Sequence, residues 1–199
     1  MGAAILLLVL LILVAIAGNL VLVWRTRTPG TSPRADPPAA YPEVYDPLRI
    51  GGGDVVTYAG LDLVVRGTIT FDQEGFRWHE HLLDGSTGRR WLSVEYDEGE
   101  LEMVLWMRRE GTGLEPGGEV ILDDRVYRKT DSGSARFTAE GTTGTAPSGS
   151  MDYADYATVD GTELLTFERW TKTAPWDVST GRAVPRSDLT VIHVPRHGT

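Results

Sequence analysis

Two regimes of hydrophobic patterning divide the chain. From Ala3 to Val23 the apolar positions run without interruption by charge: 21 residues, mostly Leu, Ile, Val and Ala, with Asn19 the one strongly polar side chain. Beyond Ile50 apolar and polar residues alternate instead, in short runs rich in β-branched and aromatic side chains, which is the pattern of strands with one face buried. At 1.5 Å per residue the first stretch makes a helix about 31 Å long, matching the hydrocarbon core of a bilayer. A helix also satisfies its own backbone hydrogen bonds where there is no water. Residues 1–24 are therefore expected to form a transmembrane anchor, with Trp24 at the interface. A cleavable signal peptide is the competing reading, since Ala15-Ile16-Ala17 has the form of a cleavage site. Against it stand the lack of a basic residue before the apolar run and its continuation through Leu20-Val21-Leu22-Val23.

Arg25, Arg27 and Arg34 come after the span and no arginine precedes it, so the positive-inside tendency places the rest of the chain in the cytoplasm. The expected location is the cell membrane, crossed once. Residues 25–49 carry Pro29, Pro33, Pro37, Pro38, Pro42 and Pro47 among small and polar residues, a composition that extends rather than packs and reads as a tether.

The alternating region predicts strands near Asp54–Tyr58, Asp62–Phe71, Phe76–Leu83, Arg90–Tyr96 and Glu100–Met107, separated by turns that each contain glycine. Later strands are expected at Ala135–Glu140, Tyr153–Val159, Glu163–Trp170 and Leu189–His193, with Gly141–Ser150 as a mobile loop. Gly117-Gly118-Glu119-Val120 with Val126-Tyr127 echoes Gly52-Gly53-Asp54-Val55 with Leu63-Val64, which divides residues 50–199 into similar halves, 50–109 and 116–194. The expected fold is mainly β, an antiparallel meander or partly open barrel, preceded by one transmembrane helix.

Charge narrows the partners. From Ile50 onward there are 15 Lys and Arg against 25 Asp and Glu. Nucleic acids and anionic head groups are polyanions that select basic surfaces, so cations or basic protein surfaces fit better. The chain has no cysteine, which suits a reducing compartment.

Gly53-Asp54-Val55-Val56, Val64 to Thr68, Trp78-His79-Glu80-His81-Leu82-Leu83 and Trp91 to Glu95 together resemble a bacterial family, the domain of unknown function numbered 4178. The likeness continues through Tyr156, Gly161, Leu164 to Trp170 and Val178-Ser179-x-Gly181, covering most of Gly51 to Val194. It implies a membrane-associated role in the envelope or in stress, and a tyrosine is more usual at the position of His81.

Candidate chemistry lies in carboxylates beside tryptophans. Alternation puts Phe76, Trp78, Glu80 and Leu82 on one strand face, and a carboxylate on such a face is costly unless something offsets its burial. Trp91 and Glu95 share a face in the next strand, as do Glu168 and Trp170 later. Six residues, Trp78, Glu80, Trp91, Glu95, Glu168 and Trp170, could thus line a pocket for a small organic cation, held by charge and by cation–π attraction. The plainer alternative, favoured on the sequence alone, pairs each glutamate with Arg66, Arg90 or Arg169 while the indoles fill the core. His79-x-His81 offers two imidazoles on one face, half of a zinc site if His193 or a carboxylate came near, but two ligands are not three, so an exposed strand face is expected there. No Gly-x-Ser-x-Gly frames Ser148 or Ser150, and no glycine loop opens a helix for phosphate.

The function these residues suggest is a membrane-tethered, non-enzymatic β module, without cofactor or metal, that binds a protein partner (a membrane protein among them) or a small organic cation. The alternative is an enzyme in which Glu80, Glu95 and Glu168 perform acid–base work in a tryptophan-lined cavity.

Overall fold

Period-two alternation becomes eleven antiparallel strands in the computed structural model of the chain, which describes residues 45–97 and 99–194. These residues belong to one unit, Pro42–Thr199. The proposed anchor and most of the tether lie outside the described residues. Among the described residues no helix is long and apolar enough to cross a membrane.

The strands are β1 (Val55–Tyr58), β2 (Leu61–Gln73), β3 (Phe76–Gly85), β4 (Gly88–Asp97), β5 (Glu100–Arg108), β6 (Glu119–Leu122), β7 (Arg125–Gly141), β8 (Ser148–Ala157), β9 (Leu164–Arg169), β10 (Asp177–Ala183) and β11 (Leu189–Ile192). Their order is β11-β1-β2-β3-β4-β5-β10-β9-β8-β7-β6, and β2 also pairs with β7. That extra pairing closes β2, β3, β4, β5, β10, β9, β8 and β7 into a ring of eight. The antiparallel β architecture is as the sequence suggests; eight of its strands form the ring, and β11, β1 and β6 lie outside it. Eight strands leave an interior wide enough for side chains or for one small ligand.

Connectivity repeats between the halves. A four-residue strand precedes a long one and three more in β1–β5 and again in β6–β10, and the halves meet through equivalent strands, β2 beside β7 and β5 beside β10. The long β7 and the strand β10 are not legible in full in the sequence: β7 begins among charged residues, Arg125 to Asp131, that mask its alternation.

Alternation sorts the apolar residues into three cores. Val65, Leu83, Leu92, Val94 and Met103 face outward and are covered by Tyr45, Ile50, Val56 and Leu189. Tyr127, Ala154, Tyr156, Leu165, Phe167 and Val178 form a second outer core with Val120 of β6. Ile69, Phe71, Ala135, Phe137 and Met151 point the other way and fill part of the interior. The stretch Gly141–Ser150 is not a loose loop. Ser148 to Ser150 belong to β8, Thr143 is buried, and Thr142 N–H donates to the Arg66 carbonyl at 2.9 Å.

The ring closes where two backbones approach. Gly67 follows a β-bulge in β2 and lies opposite Gly141 of β7, and a Cβ on Gly67 would sit 2.6 Å from the Glu140 carbonyl oxygen and 2.9 Å from the Thr142 backbone. Backbone on that side cannot rotate away. Gly67→Val is expected to lower stability by about 3 kcal/mol through overpacking at the seam, measured as a shifted urea midpoint.

Candidate functional site

Inside the ring, beside the apolar plug, lies a cavity of about 370 Å³. It is small for a ligand pocket and suits a molecule of metabolite size. Three elements bring Glu80, Glu95 and Glu168 to it. Glu80 follows Trp78 on the inner face of β3 and pairs across to Ser93 of β4, while Glu95 stands one inward position further along β4, opposite Trp78. Glu168 enters from β9, opposite Tyr153 of β8 and Asp177 of β10.

Residues that the sequence does not single out add to the lining: Asp155, Asp131, Tyr153, Trp106, Ser93, Ser179, Thr166 and Met151 from the wall, Gln73 at the end of β2 and Glu74 in the turn after it; Phe76, at the start of β3, joins them. Six carboxylates and five aromatic rings thus share one cavity, and among the described residues no lysine, arginine or histidine lines it. The pattern that picks out Trp78-x-Glu80 recurs as Tyr153-x-Asp155, so reading tyrosine like tryptophan would have found Asp155. Asp131 is hidden by the charged start of β7, where alternation gives no signal.

Arginine does not neutralise these groups. Arg66 pairs with Asp84 at 3.2 Å and Arg169 with Asp152 at 2.9 Å, and among the described residues no ion pair reaches Glu80, Glu95, Asp155 or Glu168. Asp152, the outward neighbour of Tyr153, instead gathers Ser134, Arg169 and Lys172, whose hydrogen bonds hold its carboxyl well below the usual range.

The inner carboxylates consequently resist ionisation. Burial pushes Glu80 up to about 7, with repulsion from Asp155 adding and the Trp78 indole N–H opposing. Burial likewise raises Asp155 to about 6, against a hydrogen bond from the Thr166 hydroxyl at 2.6 Å. Glu168 is held well above the carboxylate range, first by burial and then by Glu80, Asp155 and Asp177, with Arg108 easing the effect. Glu95 is raised too, by burial and then by Glu102, Asp97, Asp155 and Asp131. All four residues are half-buried and line the cavity.

The aromatic rings are fixed. Trp78 stacks on Phe71 with centroids 4.8 Å apart, has Phe76 and Tyr153 beside it, and lines the cavity. Trp106 donates its indole N–H to Ser93 Oγ at 3.0 Å and lies flat on Gly181 of β10, where any Cβ would overlap the ring. Gly181→Ala is expected to displace the Trp106 ring, changing tryptophan fluorescence while leaving the β-sheet circular dichroism unchanged.

Residues 51–186 match the family described as a domain of unknown function, DUF4178, and the matched span holds every strand of the ring. The chain belongs to the DUF4178 family. Two relatives are uncharacterized proteins of Mycobacterium bovis and Mycobacterium tuberculosis, each 41% identical over 194 residues that cover 94% of both chains. No solved structure matches this DUF4178 chain.

Of the six residues singled out in the sequence, five line the cavity of this DUF4178 barrel: Trp78, Glu80, Trp91, Glu95 and Glu168. Trp170 is not in the lining: it belongs to the apolar plug, edge-on to Phe137 at 5.1 Å and tilted against Phe71 at 6.2 Å. The histidine face is not exposed as expected. His81 is 1% accessible and meets Thr68 at 2.9 Å, His79 meets Thr70 at 3.1 Å, and His193 meets Asp54 at 3.0 Å. Among the described residues no three His, Asp or Glu side chains are arranged to hold a metal ion.

Proposed function

We propose that this DUF4178 barrel is a binding module for a small organic cation, held at the cell membrane by the N-terminal apolar segment with the barrel on the cytoplasmic side. One observation carries the reading: six carboxylates and five aromatic rings line a single cavity that, among the described residues, contains no basic side chain. Uncompensated carboxylates in a sheltered site are unfavourable until a cation enters, and indole faces add cation–π attraction of about 0.5–2 kcal/mol each. Three indoles in the lining also give the test its signal. Titrating the full-length chain in mild detergent with simple alkylammonium salts should change tryptophan fluorescence saturably. Unchanged emission together with no heat in calorimetry would sink the proposal.

A second reading, an enzyme, is favoured by one specific feature: Glu80, near 7, is suited to move a proton at neutral pH. Turnover that disappears in Glu80→Gln would favour it over simple binding. In either case the apolar run and the arginines behind it support a tethered, cytoplasmic barrel, and the family resemblance is what suggests an envelope- or stress-related assembly. The chain's lack of cysteine makes the side of the membrane testable. A cysteine placed at the exposed Val159 should react with an impermeant maleimide only after cells are opened; labelling of intact cells would reverse the topology.

A further inference from the structure

The two halves of the barrel differ at their outer edges. β1 and β6 hold equivalent places. Each has four residues, and each leads into its long partner strand through a two-residue turn with positive φ at both positions, Ala59-Gly60 and Asp123-Asp124. The pairing offset is also the same, Tyr58 opposite Leu61 and Leu122 opposite Arg125. Val56 and Val120 are therefore counterparts, and both are buried in the outer core of their half. The equivalence ends on the far side. β1 is covered by β11, antiparallel along its whole length from Val55 opposite Ile192 to Tyr58 opposite Leu189. Among the described residues no strand covers β6 in that way.

An edge strand leaves backbone N–H and C=O groups without a ladder partner, and proteins commonly blunt such edges with charge, proline or a bulge. β6 is apolar after Glu119. Ile121 stands where β1 has Thr57 and is 66% exposed, and its partner on β7, Val126, is 42% exposed. On the other face Val120 and Leu122 are part of the second outer core, which stops at this open edge. The acids at the two ends of the strand are neutralised in place, Glu119 by Arg128 at 2.8 Å and Asp123 by Arg109 at 2.6 Å. Two copies of an otherwise acidic domain can meet here without setting these two acids against each other, and a basic partner would find both already taken.

We infer that β6 pairs antiparallel with β6 of a second copy, making the protein a twofold dimer whose sheet runs on from one barrel to the other. A twofold axis through the middle of the contact sets Ile121 opposite Ile121 of the second copy and Val120 opposite its Leu122, which carries the outer core across the axis. Glu119 then comes level with Asp123 of the second copy, each held by its own arginine. Such pairing uses one patch on both copies and closes on itself, whereas pairing of β6 with the free edge of β11 would propagate from copy to copy. The barrel already joins its halves through equivalent strands, β2 beside β7 and β5 beside β10. Four residues a strand make a small contact, so the dimer is expected to be weak, with a Kd of about 10–100 µM. It does not depend on what the cavity binds.

The experiment uses the full-length chain in mild detergent and exploits its lack of cysteine. Ile121→Cys should give a disulfide-linked dimer on gentle oxidation, because opposed residues of an antiparallel pair lie about 4.5–5.5 Å apart, within reach of a disulfide. Thr190→Cys, at an exposed position on the edge strand β11, should give none. Sedimentation across the concentration range of the expected Kd should show the unmodified chain passing from monomer to dimer. Ile121→Lys should weaken that association about tenfold or more with unchanged circular dichroism, since the side chain it replaces is exposed. A dimer of undiminished strength in Ile121→Lys would place the association elsewhere in the chain and overturn the inference. Cross-linking of Ile121→Cys only when mixed with Thr190→Cys would replace the twofold contact by β6 on β11 and overturn it too. So would a monomer at every concentration, whether the Ile121→Cys thiol reacts freely with maleimide or is shielded by another segment of its own chain.

Discussion

Replacing Glu80 with glutamine is expected to stabilise the empty protein by about 2–3 kcal/mol at pH 8 while weakening cation binding about a hundredfold. In the unfolded chain this carboxyl ionises near 4.5, whereas in the barrel burial and Asp155 raise it to about 7. Between those values the folded state keeps a proton that the unfolded state has lost, so stability falls as pH rises through the window and levels off above it. Glutamine has the same shape, can still meet the Trp78 indole, and has no charge to desolvate. Its advantage should therefore be full at pH 8 and vanish near pH 4, where both side chains are neutral. Urea unfolding of the two proteins at both pH values measures this. A variant less stable at pH 8, or a difference independent of pH, would contradict the account. The opposite sign for binding comes from the same charge, since an ammonium loses a charge-assisted contact that the amide does not replace.

A buried carboxylate costs stability, and that cost is why part of this cavity is legible in the sequence. Glu80 attracts notice as a carboxylate on an otherwise apolar strand face, a local inconsistency that packing alone does not require. The same logic reaches Glu95 and Glu168. It cannot choose between a shared cavity and three separate ion pairs, because that depends on ring closure. Closure is set by the pairing of β2 with β7, between residues some seventy positions apart, and is marked in the sequence only by Gly67 and Gly141. Once the ring closes, alternation forces every inward carboxylate into one interior, and the arginines, on the opposite parity or at the rim, find Asp84 and Asp152 instead.

Trp170 shows the limit of that logic. Its spacing from Glu168 places it on the interior side, where it packs against Phe71 and Phe137 of the apolar plug instead of lining the cavity. His81 shows another limit. Alternation places it correctly on the outer face of β3, but outward is not exposed here, because the segment before β1 and the strands β1 and β11 cover that part of the wall. Burial on both faces is a property of the second layer, which a strand's own periodicity does not encode.

The affinity for an organic cation is expected to fall roughly a hundred- to a thousandfold between pH 8 and pH 5. A cation prefers the ionised cavity, and the titratable groups that line it are, Tyr153 apart, acids: Glu80 on β3, Glu95 on β4, Glu168 on β9, Asp155 on β8, Asp131 on β7 and Glu74 in the β2–β3 turn, while β2, β5 and β10 contribute Gln73, Trp106 and Ser179. Glu80 takes up its proton as pH falls through about 7 and Asp155 as it falls through about 6. An alkylammonium ligand keeps its own charge throughout this range, so the whole pH dependence belongs to the protein. Binding near pH 6.5 must then expel protons, and calorimetric heats should change with the ionisation enthalpy of the buffer. In Glu80→Gln the steep part of the profile should shift toward lower pH, with Asp155 left to shape it. Affinity that stays flat from pH 8 to pH 5, or heats that ignore the buffer, would show that these carboxylates do not meet the ligand. The two dependences together define how the barrel works: the empty protein is least stable where the cavity is most fully ionised, and there a bound cation has the largest repulsion to relieve.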